Sequence, residues 1–493
     1  MKALIATWPR RVAIAVSTWL IAAVLMATLM AHVEQPDPAY LEAGDWMKRF
    51  VVLPALAALM VFMFTTAMMR SAQAAPAQEP AGSAALAADE PEKPFVAQVV
   101  GMVWLNPLQR MDYPTEWQLL WTQGLVKPNK NDDMVRTDPK SFSTLQSIGA
   151  LVYGNRGTET FKGFYAKYID KFILLLRTRY FSNDQYFYTV KPERLTDWRE
   201  LAGIHVEVAV PPRLDPTYAK ARMVDRMMTF FEIGPPSPKT LWSRDTPPDV
   251  QITQGDANAG FTSLNNALDY LKANPDKTVW VINWDAPNFP PTDAQINENL
   301  VVLFLAGPNY HTQREPLAWI AKAAVGNTQD FPPKVGTTRV VQAWKATIDQ
   351  AARNAGIAVP DLSYIVHDAG KGSDASSARL AALAQTLTES LADYDHQKQT
   401  FNTAGLLGDM GTGSALTDVA LAIGRTNHFG GNALVAGTTD PDHPVAVIVM
   451  PPSKLTPIDP DKDWFRARGG NNAYLPWWGR RHDTDYGMQG YSW

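Results

Sequence analysis

Between residues 204 and 450 short apolar runs alternate with longer stretches of helical period, and that alternation restricts this part of the chain to a layered α/β sheet. Residues 204–210 alternate as a strand, and 261–274 read as a helix. Residues 277–285 (KTVWVINWD) and 300–305 read as buried strands. A helix is expected over 339–356, closed by Gly356 as C-cap. A strand over 362–366 follows, then a helix over 374–394 with Asp374 as N-cap. A helix over 412–427 and two strands, 432–437 and 445–450, complete the run, which Pro451, Pro452 and Pro457 end.

Composition removes several function classes. The chain has 493 residues, 46% hydrophobic and 19% charged, enough for two or three domains with ordinary cores. A net charge of −4 argues against nucleic acid as the main partner, because phosphate binding needs a concentrated basic surface. The absence of cysteine excludes disulfides, thiolate metal sites and a cysteine nucleophile.

Two uncharged stretches near the start, residues 12–31 and 51–69, each have the length of a membrane span. The expectation is a two-helix transmembrane anchor over 1–70. Lys2, Arg10, Arg11 and Arg70 favour both ends of the anchor inside, so the body lies in the cytoplasm and the protein in a bacterial inner membrane. A cleaved signal near Ala75, with the body facing the periplasm, is the alternative. Residues 71–94, rich in Ala, Pro and Glu, read as a flexible linker.

An aromatic-rich subdomain is expected over 95–202. It opens with a strand over 98–105 and contains a helix over 161–179, in which Phe164, Tyr168, Phe172 and Leu175 form a packed face. The α/β domain follows over 203–452, then an aromatic and basic tail over 453–493. Trp477, Trp478, Arg480, Arg481, Tyr486 and Trp493 in that tail have the composition of a partner-binding surface or of a tail packed on its own body.

Two stretches invite a chemical reading. One is Leu362-Ser-Tyr-Ile-Val-His367-Asp-Ala-Gly-Lys371-Gly-Ser-Asp374. The other is Gly405-Leu-Leu-Gly408-Asp409-Met-Gly411-Thr-Gly413-Ser414. A strand ending in His, a glycine turn and a helix, followed by a glycine-rich loop entering a small-residue helix, resemble the C-terminal half of the thiolase-like fold of β-ketoacyl synthases. Residues 260–285 resemble its counterpart in the first half. The resemblance implies a layered, thiolase-like α-β-α body. It also exposes departures. Those synthases need a cysteine nucleophile, and the matching position near Asp256 to Gly260 holds none, with only Thr262 and Ser263 nearby. His367 matches the first His, but Asp409 stands at the second. A carboxylate cannot replace a neutral imidazole donor. The body therefore reads as a pseudoenzyme with relic positions His367 and Asp409, no cofactor and no metal. The alternative is an acyl-transferring or lipid-modifying enzyme with an atypical site around His367, Lys371, Asp374 and Asp409. No zinc-helix spacing of histidines, P-loop or Gly-x-Ser-x-Gly elbow is present, and the Asp-rich residues 129–138 lack EF-hand spacing.

A second resemblance is carried by Val103-Trp104-Leu105-Asn106-Pro107-Leu108-Gln109-Arg110 and Asp112-Tyr113-Pro114-Thr115-Glu116-Trp117-Gln118-Leu119-Leu120-Trp121. This looks like the signature of the bacterial type VI secretion lipase adaptor family. The resemblance implies a non-catalytic adaptor that binds a toxic phospholipase effector and loads it onto the spike protein (VgrG) of the secretion machine. It supplies no catalytic residues.

Overall fold

The computed structural model describes residues 93–105, 115–125, 157, 159–182, 201–231, 233, 246–286, 299–310, 315–391 and 394–457. The chain divides into Met1–Glu90 and Pro91–Trp493, and every described residue belongs to the second unit.

That unit is built around one repeated pattern. Its first copy runs β1 (Val96–Leu105), α1 (Thr115–Thr122), α2 (Phe161–Ser182), β2 (His205–Val210), α3 (Pro216–Phe230), β3 (Asp249–Gln254), α4 (Ala257–Ala273), β4 (Thr278–Asp285) and β5 (Asn299–Ala306). The second runs β6 (Ala318–Ala321), β7 (Ala324–Val325), α5 (Arg339–Ala355), β8 (Leu362–His367), α6 (Asp374–Ser390), α7 (His396–Gln399), β9 (Thr400–Asn402), α8 (Thr403–Leu407), α9 (Ser414–Phe429), β10 (Asn432–Gly437) and β11 (Val445–Met450). The strand order is β3-β2-β4-β5-β1-β6-β11-β10-β8-β9, with β7 on β11. In each copy two strands flank a central one in parallel: β3 and β4 on β2, and β9 and β10 on β8. An antiparallel strand follows in each, β5 on β4 and β11 on β10. The copies join where β1 pairs antiparallel with β6.

Burial explains the apolar runs in the sequence. Along β10, Ala433 and Val435 enter the main core, whereas Leu434 and Ala436 enter a second core with α5 and α6. β11 divides in the same way, Val445, Val447 and Val449 against Ala446 and Ile448. Both faces are covered, so neither strand needs an alternating polar side. α9 is buried on all sides from Ser414 to Gly424, which matches its small, apolar composition. It packs against α4, where Gly260 is required. A Cβ there would stand 2.0 Å from Asn283 Nδ2 and 2.6 Å from the Ala415 Cβ.

Several expectations need correction. Among the described residues no helix is long and apolar enough to cross a membrane. The one helix of sufficient length, α2, carries Lys162, Lys167, Asp170 and Lys171 and packs as part of the core. The stretches 12–31 and 51–69 lie outside the described residues. The transmembrane fold class and the inner-membrane placement expected of them are therefore not retained, and the fold class is a mixed α/β body. The N-cap of α6 is Ser373, whose hydroxyl accepts the Ser376 amide, and Asp374 occupies the first helical position. α3, β3, β6, β7 and the short elements around β9 were not anticipated. Phe164, Tyr168 and Phe172 are buried as a packed face. Trp104 and Trp121 of the aromatic signature are also buried, and the Trp104 indole donates to Asn299 Oδ1 at 3.1 Å. Residues 106–114 of the signature, the linker up to residue 92, residues 129–138 and the tail from 458, including Trp477, Trp478, Arg480, Arg481, Tyr486 and Trp493, lie outside the described residues.

Candidate functional site

The parallel strands β2, β4, β8 and β10 carry the side chains singled out at their carboxyl ends, and the amino ends of α4 and α9 follow the loops there. His367 is the last residue of β8 and is 1% exposed. Its Nδ1 lies 3.2 Å from the Ala369 amide and accepts from it, which leaves the proton on Nε2. That Nε2 is buried without a hydrogen-bond partner. Burial, reinforced by His396 at a ring separation of 6.5 Å, pulls the imidazole down to about 4. His367 is accordingly neutral near pH 7.

Asp368, the next residue, has a structural task. Its carboxylate accepts from the Thr438 amide at 2.6 Å, the Thr438 hydroxyl at 2.8 Å and the Thr439 hydroxyl at 2.8 Å. These bonds tie the end of β8 to the end of β10. Burial raises its pKa against those donors. Asp418, one turn into α9, is fully buried, with the Thr403 hydroxyl beside its carboxylate. Burial, together with the nearby Asp368, pushes it well above the usual carboxylate range. The Asp418 side chain is therefore held toward its protonated form.

The glycine-rich loop is gripped from the other copy of the repeat. Asp285 ends β4, and its Oδ2 accepts the Thr412 amide at 3.1 Å. The Thr412 hydroxyl donates to the Gly255 carbonyl at 2.6 Å, just before α4. Arg213, which follows β2, donates to Asp285 Oδ1 at 2.7 Å and to the Ala286 carbonyl, and its guanidinium stacks on Phe161 at 4.3 Å. Gly411 has φ +51°, and a Cβ there would lie 2.1 Å from Asp285 Oδ2, so the grip itself demands glycine.

The residues of the enzymatic alternative occupy different environments. His367 is buried, whereas Lys371, Asp374 and Asp409 are exposed. Asp409 accepts the Gly411 amide at 2.9 Å within its own loop. At the start of α4, Asp256 caps without a side-chain bond and Ala257 is buried. Ser263 donates to the Gly260 carbonyl at 3.0 Å and contacts Asn283 Oδ1 at 3.2 Å, inside the core. Thr262 is exposed and donates to the Asn258 carbonyl at 3.2 Å. Neither hydroxyl has a histidine or carboxylate among these hydrogen-bond partners. Sequence reasoning overlooked Arg213, Asp368 and Asp418. The apolar company of Asp418 within ALTDVALAIG was the available signal, since a lone acid there must be buried.

Comparison with known proteins bears on this region directly. Residues 327–451 match the family model of the type VI lipase adapter protein Tla3, C-terminal region. The match spans α5 to β11 of the second copy and leaves out β6 and β7. That Tla3-matched segment includes His367, Asp368, Asp409, Thr412 and Asp418, whereas Asp285 and Arg213 lie before it. No curated protein matches the chain in sequence. Solved structures similar to it include an oxazolomycin ketosynthase domain from Streptomyces albus JA3453, at 15% identity and TM-score 0.43, covering 76% of this chain and 100% of that one. The ishigamide ketosynthase/chain length factor is 14% identical with TM-score 0.45, covering 72% and 99%. The ketosynthase from module 6 of the bacillaene synthase of Bacillus subtilis 168 is 10% identical with TM-score 0.44, covering 72% of each chain.

Proposed function

We propose that this chain is a non-catalytic adapter that binds a phospholipase effector and loads it onto the spike protein of a type VI secretion machine. The match of residues 327–451 to the Tla3 C-terminal family is the observation that carries the reading. The site chemistry supports it. Acyl transfer needs an activated nucleophile beside a base. The hydroxyls on the early turns of α4, Thr262 and Ser263, donate to helix carbonyls, and the Thr412 hydroxyl near its start donates to the Gly255 carbonyl. His367 is buried and neutral, and the loop opposite is closed by the contacts of Asp285 with Arg213 and Thr412. The arrangement resembles packing more than a reaction centre.

The test is affinity capture with the tagged whole chain in its own cells, read by mass spectrometry and repeated with purified components. Recovery of a phospholipase and of the spike protein, undiminished by His367→Ala, is the expected result. Capture of neither protein, together with acyl-transfer turnover that disappears in His367→Ala, would overturn the adapter reading.

A further inference from the structure

The carboxyl end of α9 carries a cation that has no counter-charge among the described residues. Arg425 is half-buried, and its guanidinium lies between the rings of Tyr364, at 5.0 Å, and Phe429, at 4.4 Å. Its Nη1 donates to the Gly430 carbonyl at 3.3 Å, and its Nε is buried without a partner. Among the described residues no carboxylate pairs with it. Three other arginines of the body do have carboxylate partners: Arg213 has Asp285, and Arg222 and Arg226 share Asp170. Burial lowers the pKa of Arg425. The helix carbonyl end and two aromatic faces compensate part of that desolvation, but neither supplies a full negative charge.

Apolar surface lies beside this cation. Phe429 is 46% exposed and Leu455 is 39% exposed. Leu455 packs close to Gly430, where a Cβ would stand 3.1 Å from its Cδ1. The Thr456 amide donates to the Asn427 carbonyl at 3.1 Å, which lays this segment along the last turn of α9. Lys454, exposed, adds a second positive charge. A desolvated guanidinium held rigidly between rings and flanked by two exposed apolar side chains is complementary to a carboxylate with an apolar neighbour. Arg anchors surrounded by aromatic surface are the groups that dominate binding energy at interfaces.

We propose that Arg425, Phe429 and Leu455 form a docking site for an acidic, apolar peptide segment, and that this segment belongs to the lipase cargo. The second half of this statement rests on the adapter reading, and the first half does not. Binding places the partner's carboxylate on the guanidinium and its apolar side chain against Phe429 and Leu455.

Two measurements on the whole chain separate the two halves. In the first, a fluorescent peptide alternating Asp or Glu with Leu or Phe is titrated by anisotropy against wild type, Arg425→Glu and Phe429→Ser. A Lys-containing counterpart serves as control, and unchanged thermal midpoints exclude misfolding. The expected result is binding of the acidic peptide alone, weakened about tenfold or more by either substitution, equivalent to about 1.4 kcal/mol or more. Absence of binding to wild type, or equal binding to all three proteins, overturns the site. If both variants misfold, Arg425→Lys with Leu455→Ser replaces them under the same criterion.

In the second, Phe429→p-benzoylphenylalanine is photo-crosslinked in cells and the joined peptide is sequenced. An acidic segment of a lipase supports the cargo assignment. A crosslink only to this chain, from a second copy or its own tail, overturns that assignment. Wild type capturing a lipase that Arg425→Glu captures equally well overturns the site's role while the adapter reading survives. Peptide binding without any lipase capture by wild type leaves the docking site standing and removes the adapter reading and the cargo assignment together.

Discussion

The Asp285 carboxylate, at the end of β4 in the first copy of the repeat, accepts the backbone amide of Thr412, at the entrance to α9 in the second, at 3.1 Å. This bond and the one from the Thr412 hydroxyl to Gly255 join the two copies at the pole where their parallel strands end. Asp285 thereby leaves Arg213 as its charge partner and a backbone amide as its positional one. The glycine-rich loop is held in place by residues more than a hundred positions earlier in the chain.

Removing that carboxylate has a calculable cost. Asp285→Ala removes the acceptor of the Thr412 amide and the charge partner of Arg213, which keeps the Ala286 carbonyl. Loss of a buried hydrogen bond to a charged group costs about 2–3 kcal/mol, discounted because Arg213 is partly exposed. Urea denaturation of the variant and wild type should show a loss of about 2 kcal/mol with little change in slope. A change below about 0.5 kcal/mol would mean that the grip on the loop is not a stabilising one.

Gly260→Ala tests the contact between the two buried helices. The added Cβ would meet Asn283 and Ala415, and neither is the mobile end of a long side chain. α4 and α9 must separate to admit it, with an expected loss of about 1–3 kcal/mol. Thermal melts of Gly260→Ala beside the exposed-site control Asn266→Ala measure this. Equal midpoints would refute the close approach.

Two histidines titrate in opposite senses. His367, depressed to about 4 by burial, binds fewer protons when folded than when unfolded. Its contribution is fully present above the unfolded value of 6.5 and is lost as pH falls toward 4. Stability of wild type should fall over that window by on the order of 3 kcal/mol, and His367→Gln should flatten the profile. His205 behaves in reverse. Its Nδ1 is 2.7 Å from Asp249 and its Nε2 is 2.9 Å from the buried Glu207, with Tyr270 stacked at 4.1 Å. Burial opposes the proton, but the two carboxylates outweigh it and raise the pKa. The stability contributed by His205 is complete below 6.5 and is lost as pH rises through the raised value. Imidazole proton resonances followed by NMR across the pH range should give one midpoint below and one above that of a free histidine.

Asp418 supplies a third pH signature. Its folded pKa is raised well above the ordinary value, so its contribution is present below the unfolded pKa and is lost as pH rises through the folded one. Asp418→Asn keeps the shape, cannot ionise and should be as stable as wild type or more so at pH 7. From about pH 5 to about pH 8 the denaturation midpoint of wild type should fall relative to that of Asp418→Asn. Parallel profiles would show that Asp418 does not titrate in this range.

Much of the fold can be read from the order of residues alone, because its signals are local. Strands 432–437 and 445–450, read from apolar content and turn residues, coincide with β10 and β11. The C-cap at Gly356 is a property of a few neighbouring residues. α3 and β3 escaped because their patterns are weak: α3 buries only Ala219, Met223 and Met227, and the edge strand β3 mixes polar with apolar residues. The missing cysteine, the Asp at position 409 and the aromatic signature are likewise one-dimensional facts, legible without any contact. Tertiary structure decided which polar groups matter. Asp285, Asp368 and Asp418 are three aspartates with the same chemistry in isolation. Folding gives the first an arginine and a distant amide, the second two threonines, and the third a fully buried helix position near Asp368. The partners of a side chain, and the water it loses, depend on residues far away in sequence. No local pattern encodes them, and the charge state and role of each aspartate follow from the packed protein.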